Sequence, residues 1–354
     1  MNTEIVHSIH DIEPAEWERL AHRTGNLYTS HRWLAGEEDD PTAQPAYALV
    51  RDSSGTLLAA APLYLVHDEP NTNYRPAADP APRVIAGGRR GYHNAPLTEP
   101  DLSQPGRRMV LEDLRDTIRT FAHGHGTHHW WPYLTRTAAD QLGPLYPRRP
   151  DVVEDDATIT LTGHGFDGYL AGLSSKRRVV VRRERAAFAD AGHTVRILPL
   201  SDCYAEAGRL LALLQTSHGR AGDTEDVMVK VLHRQAEAMG RHARVVGAYQ
   251  DGRMTGFALY YHYGHTTWLR AVGIDADRAA PFAYFNLTYY LPIEDAYRNH
   301  TTALHVGMKA LTAKRLRGAR TSPLYHLHDT PAAQPDRPDL PGSAHLSPSP
   351  GAVQ

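Results

Sequence analysis

Cysteine is almost missing from this chain. Cys203 is the only one in 354 residues, so no intrachain disulfide can form and a reducing cytoplasm is the expected compartment. Long apolar runs are missing too; nothing approaches the roughly 20 residues that cross a bilayer. Met1 to His10 shows no basic stretch followed by an apolar one, so no secretion signal is expected. Neither sign of charge dominates. Lys and Arg number 38 against 40 Asp and Glu, a net charge of −2, so a polyanion would have to meet a local patch. Lysine is scarce: only Lys176, Lys230, Lys309 and Lys314 occur. A phosphate-binding P-loop and a Ser-centred nucleophile elbow are both lacking, which removes two common catalytic classes.

What is present reads as an α/β chain in two halves. A length of 354 residues exceeds one ordinary core, and 41% apolar residues can fill two of moderate size. The spacing predicts a hairpin from Ala46–Val50 and Leu57–Val66 across the turn Asp52-Ser53-Ser54-Gly55. A second hairpin, Arg244–Gln250 and Met254–His262 across Asp251-Gly252, repeats its pattern. Both follow a strand and two helices, so an internal duplication is expected, with a ligand cleft between the copies. Pro144, Pro147 and Pro150 mark the boundary. The expected domains are 1–150 and 151–329, and the proline-rich residues 330–354 form a disordered tail.

Three stretches carry most of the chemical signal. From Ser174 to Arg185 stand six basic residues and one acid, a local charge of +5, on an expected helix. Arg178, Arg182 and Arg185 share a face there, and with Lys176 and Arg177 they suit a phosphorylated donor beside a helix N-terminus. A solvated basic face would explain the same residues. Next, Pro281–Arg298 reads as one helix with a core stripe and a neighbouring polar face holding Asn286 and Tyr290. Then Lys309–Arg317 reads as a helix ended by Gly318, with Lys314 and Arg317 on its surface, where either could merely complement the helix dipole.

At these places, in this order, the sequence resembles the Fem-like branch of the GNAT superfamily. The runs LSSKRRVVVRRERAAFADAG, FNLTYYLPIEDA and KRLRGARTSP are similar to its helical signatures, and Gly87 to Asn94 resembles its substrate loop. The match spans about residues 160 to 328; the first half agrees in layout only. The resemblance implies two tandem GNAT-type domains, each with a mixed sheet flanked by helices, and transfer of an aminoacyl or acyl group to an amine. Members of the branch use aminoacyl-tRNA to build peptidoglycan bridges or to decorate peptide and aminoglycoside-like metabolites; others are N-acetyltransferases. One departure bears on the donor. Coenzyme A enzymes carry an Arg/Gln-x-x-Gly-x-Gly/Ala loop after the central strand, whereas this chain reads Gly273-Ile274-Asp275-Ala276-Asp277-Arg278 there.

The expected site follows. An amine attacks an activated carbonyl; Lys314 or Arg270 stabilises the oxyanion and Tyr290 donates or relays a proton. Arg90, Tyr92, His93, Asn94 and Asn286 bind the acceptor. Lys176, Arg177, Arg178, Arg182, Arg185 and Arg317 hold the donor. Aminoacyl-tRNA is the expected co-substrate and partner, with acyl-CoA the alternative; a small-molecule or peptide amine accepts, and no other cofactor is expected. A non-catalytic binding protein of the same fold is the remaining alternative. His123, His125, His128 and His129 invite a zinc reading, but 22 histidines cluster by chance and no cysteine or acid completes the set locally, so no metal is expected.

Overall fold

The computed structural model describes residues 1–69, 71–76, 81, 83–217, 219–220 and 222–329. The expected tail, 330–354, lies outside them. The strands are β1 (Asn2–Val6), β2 (Ala43–Arg51), β3 (Leu57–Val66), β4 (Val84–Ala86), β5 (Leu97–Thr98), β6 (His129–Leu134), β7 (Asp151–Thr160), β8 (Thr194–Pro199), β9 (Ala243–Gln250), β10 (Arg253–Tyr263), β11 (Thr266–Ile274), β12 (Ala303–His305) and β13 (Arg320–His328). The helices that matter here are α1 (Pro14–Thr24), α2 (His31–Glu37), α3 (Gln104–Gly124), α4 (Arg136–Leu142), α5 (Gly165–Ala171), α6 (Ser175–Asp190), α7 (Tyr204–Ser217), α8 (Glu225–Met239), α9 (Ala283–Phe285), α10 (Leu291–Arg298) and α11 (Leu311–Arg315).

The two hairpins occupy equivalent places. β1, β2, β3 and β4 pair antiparallel in turn and β4 then pairs parallel with β6; β8, β9, β10 and β11 do the same, and β11 pairs parallel with β12. Both parallel contacts are brief. β4 and β6 share the pairs Val84–His129 and Ile85–Trp130, and β11 meets β12 only from Thr266 to Trp268. Beyond those pairs the strands part, so each half carries a split in its sheet.

The halves share more than a cleft. β13, the last strand of the described residues, lies between β6 and β7 and pairs antiparallel with both, which makes one 13-stranded sheet among those residues. Leu27, Tyr28 and Trp33 of the first half are buried among Leu232, Ala236, Met239, Tyr261 and Trp268 of the second. α2 packs on α8 so closely that a Cβ on Gly36 would stand 2.5 Å from the Cβ of Ala238.

Two expected helices are shorter than their patterns suggest. The run from Pro281 starts only at Ala283, because Phe282 is left-handed with φ 58°, and a π turn, Asn286–Tyr290, separates α9 from α10. The run from Lys309 shrinks to α11, because Lys309 and Ala310 both have positive φ (64° and 47°). α4, capped by Thr135, has no counterpart among the expected helices.

Candidate active site

A cleft of about 850 Å³ opens between the halves. Its floor is built from four chain segments. Thr158 comes from β7, with Asp156 buried behind it on the same strand face, His305 ends β12 and Trp268 stands where β11 leaves β12; the loop after β4 adds His93. Both imidazoles bond the same carboxylate oxygen. His305 Nε2 lies 2.9 Å from Asp156 Oδ2, His93 Nε2 also meets Oδ2, and Oδ1 accepts the Ala157 amide. An acid-facing Nε2 carries its proton, so each ring keeps an Nδ1 lone pair. The Nδ1 of His305 has no hydrogen-bond partner among the described residues.

The electrostatics follow from burial and contact. Asp156 is buried, which alone would raise its pKa, but the two imidazoles hold its carboxyl well below the usual range. Burial pushes His305 below an ordinary histidine, and Asp156 opposes that shift. Trp268 and Tyr92 wall the pair, with ring centroids 4.5 and 5.9 Å from His305. His305 is 1% accessible and His93 30%, so His93 is the ring a ligand in the cleft can reach.

The loop that delivers His93 is locked in place. Asn94 is fully buried: its Oδ1 accepts the Gly88 amide at 2.8 Å, and its Nδ2 donates to the carbonyls of Gly88 and Pro132. Asn26, also buried, donates to the carbonyls of Tyr92 and His93. Gly91 leaves room for the Tyr28 ring, which a Cβ would approach to 2.4 Å. His93 itself is left-handed, φ 59°, a conformation costing a non-glycine residue about 1–2 kcal/mol that these bonds must offset.

Of the site residues expected from sequence, His93 alone lines the cleft. Tyr92 packs beneath it, edge-on to Tyr28 and Tyr133. Asn94 braces the loop. Arg90 turns away to Asp40 and Glu69, at 2.7 and 3.0 Å. Arg270 occupies a bulge in β11, opposite the Leu259–Tyr260 step, so its guanidinium lies over Tyr28 and Trp33 and reaches the carbonyl of Arg90.

Lys314 is not on a helix surface. The left-handed turn at Lys309 and Ala310 rolls α11 over, and the buried ammonium donates to the carbonyls of Gly307 and Met308 at 2.6 and 2.5 Å. Burial lowers its pKa to about 8. It thus supports the turn that follows His305. Nor do Asn286 and Tyr290 form a polar surface, because α6 covers them. Asn286 donates to the carbonyls of Glu184 and Phe282, and Tyr290 donates to the Glu184 carboxylate. Arg317, likewise buried, is paired with Glu184 at 3.0 Å and lies 3.4 Å from the Phe285 ring centre.

Along α6, Arg185 pairs with Glu294, and Arg178 donates to the Leu173 carbonyl at the helix start. Lys176 and Arg182 are exposed, while Arg177 edges a shallow groove with Val180, Phe285 and Leu316. The basic helix is therefore a partly open face, with two of its arginines engaged by the protein itself.

Sequence reasoning missed Asp156 and His305. Asp156 closes the acidic run Glu154-Asp155-Asp156, just before the alternating run Ala157-Thr158-Ile159-Thr160. Its face alternation was the available signal, since Asp156 and Thr158 point the same way, and Thr158 and His305 are cross-strand partners.

Among the described residues, two groups have ligand atoms close enough for a metal, His93–Asp156–His305 and His123–His128–Asp329. Ligating histidines normally donate their second nitrogen to an acceptor. His305 Nδ1 and His128 Nδ1 have none among the described residues, and Arg119 already binds both oxygens of Asp329. Hydrogen-bonded imidazoles account for the first group better than a metal does.

A mixed sheet split twice, two equivalent halves and a cleft between them define a tandem GNAT-type protein. Residues 161–334 match the FemAB-like family, described as peptidoglycan biosynthesis/recognition. The match covers just under half of the chain, so it is the second half that is similar to this Fem-like family. The fold is shared with FemX (TM-score 0.65, 12% identity, 92% of this chain and 97% of that one). It is shared with L-PGS from Bacillus licheniformis (TM-score 0.55, 13% identity, 91% and 93%). A tandem GNAT protein from the clavulanic acid biosynthesis pathway also has it (TM-score 0.52, 13% identity, 94% and 100%). No curated protein matches the chain. No helix among the described residues is long and apolar enough to cross a membrane.

Proposed function

We propose that this protein is an amine acyltransferase that takes an aminoacyl group from aminoacyl-tRNA and places it on an amine in the cleft. The observation that carries the reading is the His93–Asp156–His305 cluster on the cleft floor. An amine must lose a proton to attack a carbonyl, and a histidine held by a buried carboxylate suits that task. His93 takes the proton through Nδ1, while Asp156 steadies the imidazolium. The amine nitrogen bonds the acyl carbon, the ester C–O bond breaks, and the proton passes to the departing ribose oxygen. Lys314 shapes the turn after His305. The family and the FemX likeness make a peptidoglycan precursor a natural acceptor, and a peptide or specialised metabolite remains within the same chemistry.

The donor assignment rests on two features. α6 offers exposed Lys176 and Arg182 and half-buried Arg177 to an RNA backbone. After β11, where coenzyme A enzymes hold pyrophosphate with free amides, Asp275 N bonds Thr255 O, and Arg278 and Ala279 N both bond Asp275 O. Those amides are spent, and Asp275 and Asp277 add negative charge. The test supplies aminoacyl-tRNA and acyl-CoA with a panel of amines, with and without ribonuclease. Ribonuclease-sensitive amide formation is expected, weakened when Arg177 and Arg182 are replaced together. Transfer from acyl-CoA that ignores both treatments would establish the coenzyme A reading instead. Binding of RNA or peptide without turnover from either donor would make the protein a binding module.

A further inference from the structure

The cleft is lopsided in charge. The chain as a whole has slightly more acids than bases, yet among the described residues no Asp or Glu lines the cleft, while Arg23, Arg107, His22 and His265 do. Most other polar lining groups are neutral, Thr135 and Thr266 among them. Arg107 is held ready. Its Nη1 donates to Thr98 Oγ1 and its Nη2 to the Pro100 carbonyl, both at 2.8 Å, so the guanidinium is fixed by two uncharged acceptors. It stands one turn inside α3, where the positive helix end adds to its field. Among the described residues neither Arg107 nor Arg23 has a carboxylate partner, unlike Arg19, Arg51, Arg89 and Arg90 in the same half.

A fixed guanidinium with no carboxylate partner, with Arg23 lining the same cleft and no Asp or Glu on the cleft surface among the described residues, is a seat for an oxyanion. We propose that the acceptor carries a carboxylate or phosphate besides its amine, and that Arg107, helped by Arg23, binds this anion at the cleft mouth so that the amine reaches His93. This rests on the acyltransferase reading for the amine, but the anion seat is measurable without turnover.

The test is calorimetry on the full chain with Gly-Gly-Gly, its C-terminal amide and inorganic phosphate as probes. A charge-assisted hydrogen bond contributes about 1.5–3 kcal/mol, so the free peptide should bind roughly 10- to 100-fold tighter than the amide. In Arg107→Gln that preference should shrink to about twofold, and Arg23→Gln, at an exposed position, should weaken it partly. Phosphate binding lost in Arg107→Gln, with peptide and amide equal, would keep the seat and name phosphate as its anion. Equal binding of the three probes, no saturable binding of any, or a preference that survives Arg107→Gln would overturn the proposal. Measured in His93→Ala, an intact preference with no transfer keeps the anion seat separate from the catalytic reading.

Discussion

Several buried carboxylates in this molecule have cationic or hydrogen-bonding partners, and two of these clusters, at Glu184 and at Asp156, differ in whether they are finished. In the second half, Glu184 receives both Arg317 and the Tyr290 hydroxyl, while Arg317 Nη1 donates to the Ala313 carbonyl and Nε meets Tyr290. The groups satisfy one another, and Phe285 covers the guanidinium. At the cleft, Asp156 is equally buried, but the imidazoles it holds each keep an unused nitrogen, and one of them reaches the opening. A closed network rigidifies a core; an open one of the same residue types has capacity left for a substrate.

The comparison breaks most sharply at Asp156. Asp156→Asn keeps the shape but removes the charge that orients two imidazoles. Turnover should fall by about 10²–10⁴, the range of a positioned acid–base group, while the melting temperature moves little. His93→Ala should behave alike. If both variants turn over normally, the cleft cluster is as structural as its counterpart. The opposite pattern is expected at Arg317. Arg317→Met leaves Glu184 buried and unpaired, which should lower stability by about 3–5 kcal/mol in a denaturant titration, with kcat largely kept by the protein that stays folded. A large kcat loss without a stability loss would move the chemistry to α6 and α11.

How much of this was legible depends on the range of the interaction. The hairpin pair β2–β3 and its copy β9–β10 could be read because turn residues and strand alternation are local. The Gly87–Asn94 loop stood out as well, but only His93 of it faces the cleft, because Asn94 and Tyr92 were spent on holding it there. Arg317, Tyr290 and Lys314 advertise polar chemistry in sequence, and burial by α6 and by the turn at Ala310 converts them to support. The Asp156–His305 contact joins strands 149 positions apart. No spacing rule reaches that far.

The loop between the halves should respond more mildly. Asn94→Ala removes three hydrogen bonds from a buried position and leaves the Gly88 amide unpaired, a loss of about 1–3 kcal/mol. Because the loop also carries His93, KM for the acceptor should rise along with the stability loss. A variant that loses stability while keeping KM and kcat would show that His93 needs no such bracing.

The smallest effect expected is at Lys314, and it is a pH effect. Its pKa is about 8 in the folded chain, lowered by burial, against an ordinary lysine value of 10.5. Between those values the unfolded chain holds a proton that the folded one has lost. Stability therefore rises with pH through this window, by up to about 1.4 kcal/mol per pH unit for a single site. Lys314→Met removes the group, so the slope of stability between pH 8 and 9.5 should be shallower in the variant. Buried tyrosines such as Tyr260, whose pKa burial raises, titrate later and act in the opposite direction, which is why the window stops there. The comparison sharpens if the ammonium, not only its carbonyl contacts, serves turnover: activity should then decline as pH passes 8 while stability climbs. Parallel slopes in the wild type and Lys314→Met would mean that Lys314 keeps its proton throughout, and that the turn after His305 is held by a permanent charge.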